Sequence, residues 1–210
     1  MEQSKLQEWE AELYVELYEL SETGKISLTE NYFVGKTDIN DPNLHPDFID
    51  LYKDSNGMEF YWATDNSNEI GGRIHFLNYE TAFLTVNKYD DWQIEQEETL
   101  PYFRAIDLIT DEAECGIIYN GKEYLSDTMF YLERGDTNLQ SLDINFDGYL
   151  ELLKMSRGYY YWPKVLLDIQ SGEESPETNS FKQNMPLIFE DFSWDNFVAK
   201  YQALRLSTKA

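Results

Sequence analysis

The hydrophobic period of this chain changes twice, and that change restricts the fold more than any other feature. Over residues 4–20, Leu6, Trp9, Leu13, Leu17 and Leu20 recur at spacings of three and four, with Glu8, Glu12, Glu16 and Glu19 between them. That is the stripe of an amphipathic helix, and Gly24 is its stop. Residues 25–45 are polar and irregular, ending in Asp41-Pro42-Asn43-Leu44-His45. A second helix starts at Pro46, where a missing N–H costs nothing. It buries Phe48, Ile49 and Tyr52, and Asn56-Gly57 ends it in a left-handed cap. The period then becomes two. Met58, Phe60 and Trp62 alternate with Glu59 and Tyr61. After a polar turn over 65–69, Gly71-Gly72 opens a second strand, in which Ile74 and Phe76 alternate with Arg73 and His75.

The middle of the chain is strand-rich. Residues 102–109 are one candidate strand. Residues 117–119 and 124–125 flank Asn120-Gly121, a strong hairpin signal, and residues 129–132 precede a Gly135-Asp136 turn. Helical spacing returns over 147–157, where Leu150 and Leu153 share a face and Gly158 ends the run. Tyr159-Tyr160-Tyr161-Trp162 follows, a composition suited to a core or a sheet edge, or else to an exposed binding patch. Residues 171–180 read as a surface loop. Ser193 caps a last helix in which Trp194, Phe197, Val198, Tyr201 and Leu204 share a face. No linker and no internal repeat divides the chain. The expectation is one α+β domain over residues 1–210, with an N-terminal helix over about 4–20 and a core over about 45–206.

Charge narrows the function. Forty Asp and Glu oppose 16 Lys and Arg, a formal net charge of −24. A disordered acidic chain lacks aromatics, whereas this one is 16% aromatic, so the charge coats a folded body. Roughly 70% of the extended-chain surface is buried in a protein of this size. Such a field repels nucleic acid, which needs a basic face to neutralise its phosphates, and speeds encounter with basic partners. Acidity also serves solubility alone. The lone Cys115 lies beside Gly116, Ile117 and Ile118 as a buried thiol does. With no secretory signal at Met1-Glu2-Gln3-Ser4-Lys5 and no run of about 18 apolar residues, the chain is expected to be soluble and cytoplasmic.

The chain carries no Gly-x-Gly-x-x-Gly, P-loop, Gly-x-Ser-x-Gly or His-Glu-x-x-His. His45 and His75 are the two histidines. The first reads as a helix-entry residue, the second as an outward residue of its strand. Cys115 has no neighbouring base to activate it. Asp143-Ile144-Asn145-Phe146-Asp147-Gly148 matches the first half of a calcium loop, yet the twelfth position is Lys154 where a bidentate carboxylate is required. Helix capping by Asn145 or Asp147 explains the same letters. No catalytic residue, cofactor or metal is expected.

Two segments carry a resemblance. One runs His45-Pro46-Asp47-Phe48-Ile49-Asp50-Leu51-Tyr52-Lys53 to Asn56-Gly57, then Phe60-Tyr61-Trp62 and Gly71-Gly72-Arg73-Ile74-His75-Phe76-Leu77. The other is Phe146-Asp147-Gly148-Tyr149-Leu150-Glu151-Leu152-Leu153, continuing to Arg157-Gly158-Tyr159-Tyr160-Tyr161-Trp162. Together they resemble the SUKH superfamily of fungal cell-wall synthesis regulators, herpesviral proteins and bacterial immunity proteins. Residues 25–45 depart from it, lacking the compact Leu-Pro entry to the helix of many members. The resemblance implies a single, mostly antiparallel twisted sheet with helices packed around it, no enzymatic site, and a role in binding and neutralising a toxin domain, a nuclease or deaminase among them. The alternative within the same resemblance is a regulatory or scaffolding module for endogenous partners. The partner in the first case is a basic protein, to which an acidic antidote is complementary. The candidate contact surface is the stretch 80–114, where ten carboxylates face Lys88 and Arg104. Asp90, Asp91, Glu95, Glu97, Glu98, Asp111, Glu112 and Glu114 are its candidate residues, with a merely solvated face as the competing reading.

Overall fold

A computed structural model describes residues 5–32, 39, 43–44, 46–54, 56–64, 67–85 and 90–208. Seven strands form one antiparallel sheet whose spatial order is the order of the chain: β1 (Ile26–Tyr32), β2 (Met58–Thr64), β3 (Ser67–Phe76), β4 (Phe103–Thr110), β5 (Ala113–Ile118), β6 (Phe130–Glu133) and β7 (Gln140–Ser141). Around it pack α1 (Lys5–Glu22), α2 (Pro46–Asp54), α3 (Asp91–Gln96), α4 (Phe146–Ser156), α5 (Trp162–Ser171), α6 (Pro176–Ile188) and α7 (Trp194–Leu204). The fold is α+β, as the change of period implies.

One contiguous core joins the inward residues of the strands to the apolar stripes of the helices. Phe60, Trp62, Ile74 and Phe76 meet Leu13 and Leu17 of α1, Leu51 of α2, Leu152 and Leu153 of α4, Leu166 of α5, Phe181 of α6 and Phe197 of α7. A smaller cluster of Leu100, Phe103, Ala105 and Leu132 lies on the other face, because Leu132 alternates with Tyr131, which belongs to the main core. The local chemistry is legible at the helix ends. Asn145 accepts from Gly148 N–H at 3.0 Å and starts α4, while Asp147 stays exposed. Gly57 has φ +99° where α2 gives way to β2.

Three segments differ from the expectation. Residues 26–32 form an edge strand paired with β2 from Ile26↔Thr64 to Tyr32↔Met58. Ile26 is buried and Leu28 packs against the core, while Ser27, Thr29 and Glu30 are exposed, so a short apolar alternation among polar neighbours left a weak signal. Residues 176–188 are α6, so much of the expected 171–180 loop is helix. Ser175 caps it, accepting from Thr178 N–H at 3.2 Å, and Pro176 takes the first turn. At Asn120-Gly121 the expected hairpin forms but is short: one bridge, Tyr119↔Tyr124, with Leu125 N–H donating to Ile118 O at 3.0 Å and Asn120 N–H to Glu123 O at 3.2 Å. The long hairpin is instead β4–β5, turning at Asp111-Glu112.

The neighbours β3 and β4 are joined far less than any other long pair. Their register contains one pair, Phe76↔Asp107, extended by Leu77 N–H donating to Ile106 O at 2.9 Å. At the other end of β3 a different segment takes the ladder. Arg73 N–H donates to Gly158 O (2.7 Å) and Tyr160 N–H to Gly71 O (3.0 Å). The aromatic run after α4 therefore wedges against β3, burying Tyr159 and Trp162. The wedge needs glycine: a Cβ at Gly72 would lie 2.4 Å from Trp62 Nε1 and 2.7 Å from Gly158 O.

Candidate functional site

The eight acidic residues expected to form one surface fall into two groups at opposite ends of β4. Asp90, Asp91, Glu95, Glu97 and Glu98 lie in or beside α3, within the insertion 77–102 between β3 and β4. Asp111, Glu112 and Glu114 lie at the β4–β5 turn. Phe103 to Thr110 is seven steps of about 3.3 Å, so about 23 Å of strand lies between the groups.

The groups also differ in what their carboxylates do. At the turn they serve the fold. Asp111 Oδ1 accepts from Arg73 Nη1 at 2.9 Å, while Arg73 Nε and Nη2 donate to Glu59 Oε1 at 3.1 and 2.8 Å. Glu112 Oε2 accepts from Tyr161 Oη at 3.3 Å. Glu114 is half-buried in β5, and burial raises its pKa against the opposing charge of Arg134. At the insertion the hydrogen bonds around the acidic residues stay within the segment itself. Glu97 accepts from Thr99 N and Oγ1 at 3.0 and 2.5 Å, and Asp90 N–H donates to Gln93 Oε1 at 3.0 Å to start α3. Asp90, Glu95 and Glu98 face solvent. Sequence reasoning missed their apolar companions. Leu84 (62% exposed), Trp92 (54%) and Tyr102 (41%) are three of the seven exposed large hydrophobics among the described residues. An aromatic outside every periodic stripe was the available signal.

His75 stands on the outer face of β3, as alternation implies, with Nδ1 2.9 Å from Arg73 Nη2 and 3.3 Å from Glu59 Oε1. Burial lowers its pKa; Glu59 and Asp111 oppose this and Arg73 adds to it. His45 lies outside the described residues. Asp143 Oδ2 accepts from Arg205 Nε at 2.7 Å, and Lys154 ion-pairs with Glu12, so both ends of the apparent calcium loop are committed to the fold. Among the described residues no three His, Cys, Asp or Glu side chains are grouped to hold a metal ion, and no helix is long and apolar enough to cross a membrane.

A second feature escaped the sequence reading. In β4, Ala105 pairs with Gly116 and Asp107 with Cys115, which leaves Ile106 as a bulge. Without it Asp107 would follow Phe103 and Ala105 onto the small cluster's face. The bulge instead turns Asp107 into the main core, where it is fully buried. Oδ1 accepts from His75 N–H at 2.9 Å and Oδ2 from Tyr149 Oη at 2.7 Å. Burial raises its pKa from 3.8 to about 6, against the hydrogen bonds from Tyr149 and His75 and the charge of Arg73. Burial and the Asp107 carboxyl together push the Cys115 thiol well up, so the cysteine is no nucleophile at neutral pH. No family model matches this chain, and neither a curated protein nor a solved structure is significantly similar to it.

Proposed function

We propose that this chain is an immunity protein of the SUKH kind, which binds a basic toxin domain in the cytoplasm and neutralises it by occlusion, without turnover. The carrying observation is the insertion 77–102. It offers Trp92, Tyr102 and Leu84 as exposed apolar contacts in the company of Asp90, Glu95 and Glu98. Interfaces take most of their affinity from a few aromatic anchors, which neighbouring contacts seal from water. The acidic residues supply complementarity and fast encounter with a cationic surface, as a phosphate-binding toxin presents. The turn group at Asp111 and Glu112, already paired with Arg73 and Tyr161, is left out of the docking surface.

Affinity capture from the native cell with mass spectrometry identifies the partner, and calorimetry on the purified pair tests the surface. Trp92→Ala should weaken binding at least tenfold with little change in salt dependence. Reversing Asp90, Glu95 and Glu98 to Lys should weaken it and flatten its dependence on salt. Unchanged affinity in both variants would place the contact elsewhere. A captured partner that is neither basic nor toxic would favour the regulatory or scaffolding role.

A further inference from the structure

The insertion 77–102 leaves the sheet at Leu77 and re-enters at Phe103, so its base is the β3–β4 seam. That seam consists of the Phe76↔Asp107 pair, Leu77 N–H to Ile106 O, and His75 N–H to the Asp107 carboxylate. A side chain thus supplies a link that a backbone carbonyl supplies elsewhere in the sheet. We propose that Asp107 is a proton-operated clasp at the base of the insertion, closed when the carboxyl is protonated and loosened when it ionises. Its regulatory meaning rests on the docking role given above to the insertion; its physical operation does not.

The groups facing Asp107 come from three elements. Tyr149 reaches it from α4, Cys115 with Glu114 beside it from β5, and His75 and Arg73 from β3. Arg73 is the one cation among them, and its guanidinium is already held by Glu59 and Asp111. A protonated Asp107 is a neutral donor in an apolar core. Its hydrogen lies between Oδ2 and the Tyr149 oxygen, and the phenol turns its own hydrogen towards Cys115. An ionised Asp107 keeps two donors and no solvent, a costly state for a buried carboxylate. Parting the seam lets water reach the charge. The two stems of the insertion then separate at Leu77 and Ile106, and the surface that carries Trp92 loses its fixed base.

Amide hydrogen exchange on the whole chain tests this without a partner, so it stands or falls apart from the docking reading. Leu77 and His75 amides should exchange at least tenfold faster than the slowest amides of β2 and α4, the mark of a local opening. Corrected for intrinsic rates, their protection should fall about tenfold from pH 5 to pH 8, the linkage expected if opening restores an ordinary carboxyl. Asp107→Asn should abolish that response. Tyr149→Phe keeps the carboxyl but removes a donor to its charged form, so it should move the midpoint upward. Exchange of both amides only at the rate of the slowest ones would overturn the clasp. So would an undiminished pH response in Asp107→Asn, or an unmoved midpoint in Tyr149→Phe.

Discussion

Arg157 ends α4 with φ +51° and ψ 29°, a left-handed conformation that a non-glycine residue adopts at a cost. Its side chain is what keeps it there. The guanidinium donates to Glu16 Oε1 and Oε2 on α1 at 2.8 and 3.2 Å, to Asp191 Oδ2 after α6 at 2.7 Å, and to Met155 O at 2.8 Å. It also lies 5.0 Å over the Phe189 ring. The backbone oxygen accepts from Trp62 Nε1 at 2.6 Å, which ties the same corner to β2. Each such bond contributes about 1 kcal/mol net. The side chains of Glu16 and Asp191 stay 34% and 68% exposed and rehydrate when the partner goes. With that discount, Arg157→Ala should cost about 3 kcal/mol. Arg157→Gly loses the same contacts but occupies the left-handed region freely, so it should be about 1 kcal/mol more stable than the alanine variant. Urea unfolding with the slope held common reads the difference. An alanine variant as stable as the glycine variant would refute the backbone account, and losses under about 1 kcal/mol in both would refute the clamp.

Two further outcomes follow from the same geometry. Gly72→Ala forces a methyl onto Trp62 and the Gly158 carbonyl; with rigid backbone on one side it should destabilise by about 3 kcal/mol, read as a fall in Tm. For Asp107, the folded pKa is raised above the unfolded one, so its stabilising contribution is full below about pH 4 and is lost as pH rises through about 6. From pH 5 to pH 7 the parent chain should therefore lose about 1 kcal/mol of unfolding free energy relative to Asp107→Asn, and parallel pH profiles would show that the carboxyl is not the source.

Much of the architecture was legible because strong periodicity reports one-sided burial. The alternation of Met58, Phe60 and Trp62 against Glu59 and Tyr61 gave β2 its face, and Leu13 and Leu17 gave α1 its face, because water on one side and core on the other leaves a repeating mark. Signals failed where burial was thin or two-sided. In β1, Ile26 and Leu28 turn inward beside exposed Ser27, Thr29 and Glu30. The β4–β5 hairpin turns at Asp111-Glu112 without the glycine that advertises a tight turn, whereas Asn120-Gly121 advertised one and marks only a short hairpin. The acidic stretch looked continuous because linear spacing hides a traversing strand: β4 runs through its middle and carries the two charged groups apart.

Asp107 shows why the site itself was harder to read than the fold. In the run Ala105-Ile106-Asp107-Leu108-Ile109 the carboxylate looks like one charge among ten, and simple alternation would set it beside Ala105 on the face of the small cluster. A one-residue bulge reverses that placement, and the cross-strand pairing fixes the bulge, since Gly116 and Cys115 decide which residue of β4 is skipped. The chain spends this irregularity at a junction in the meander interrupted by a long insertion, between Phe76 and Phe103. Closing so long a connection adds entropy that a short turn avoids, and the aromatic wedge at Tyr159 and Tyr160 takes over the part of β3 that β4 leaves unpaired. The weakest joint of the sheet, its buried acid and its most exposed aromatic insertion thus belong to a single stretch of chain. A sheet joined evenly along β3 and β4 would give the insertion a rigid base and leave Asp107 no opening through which to reach water.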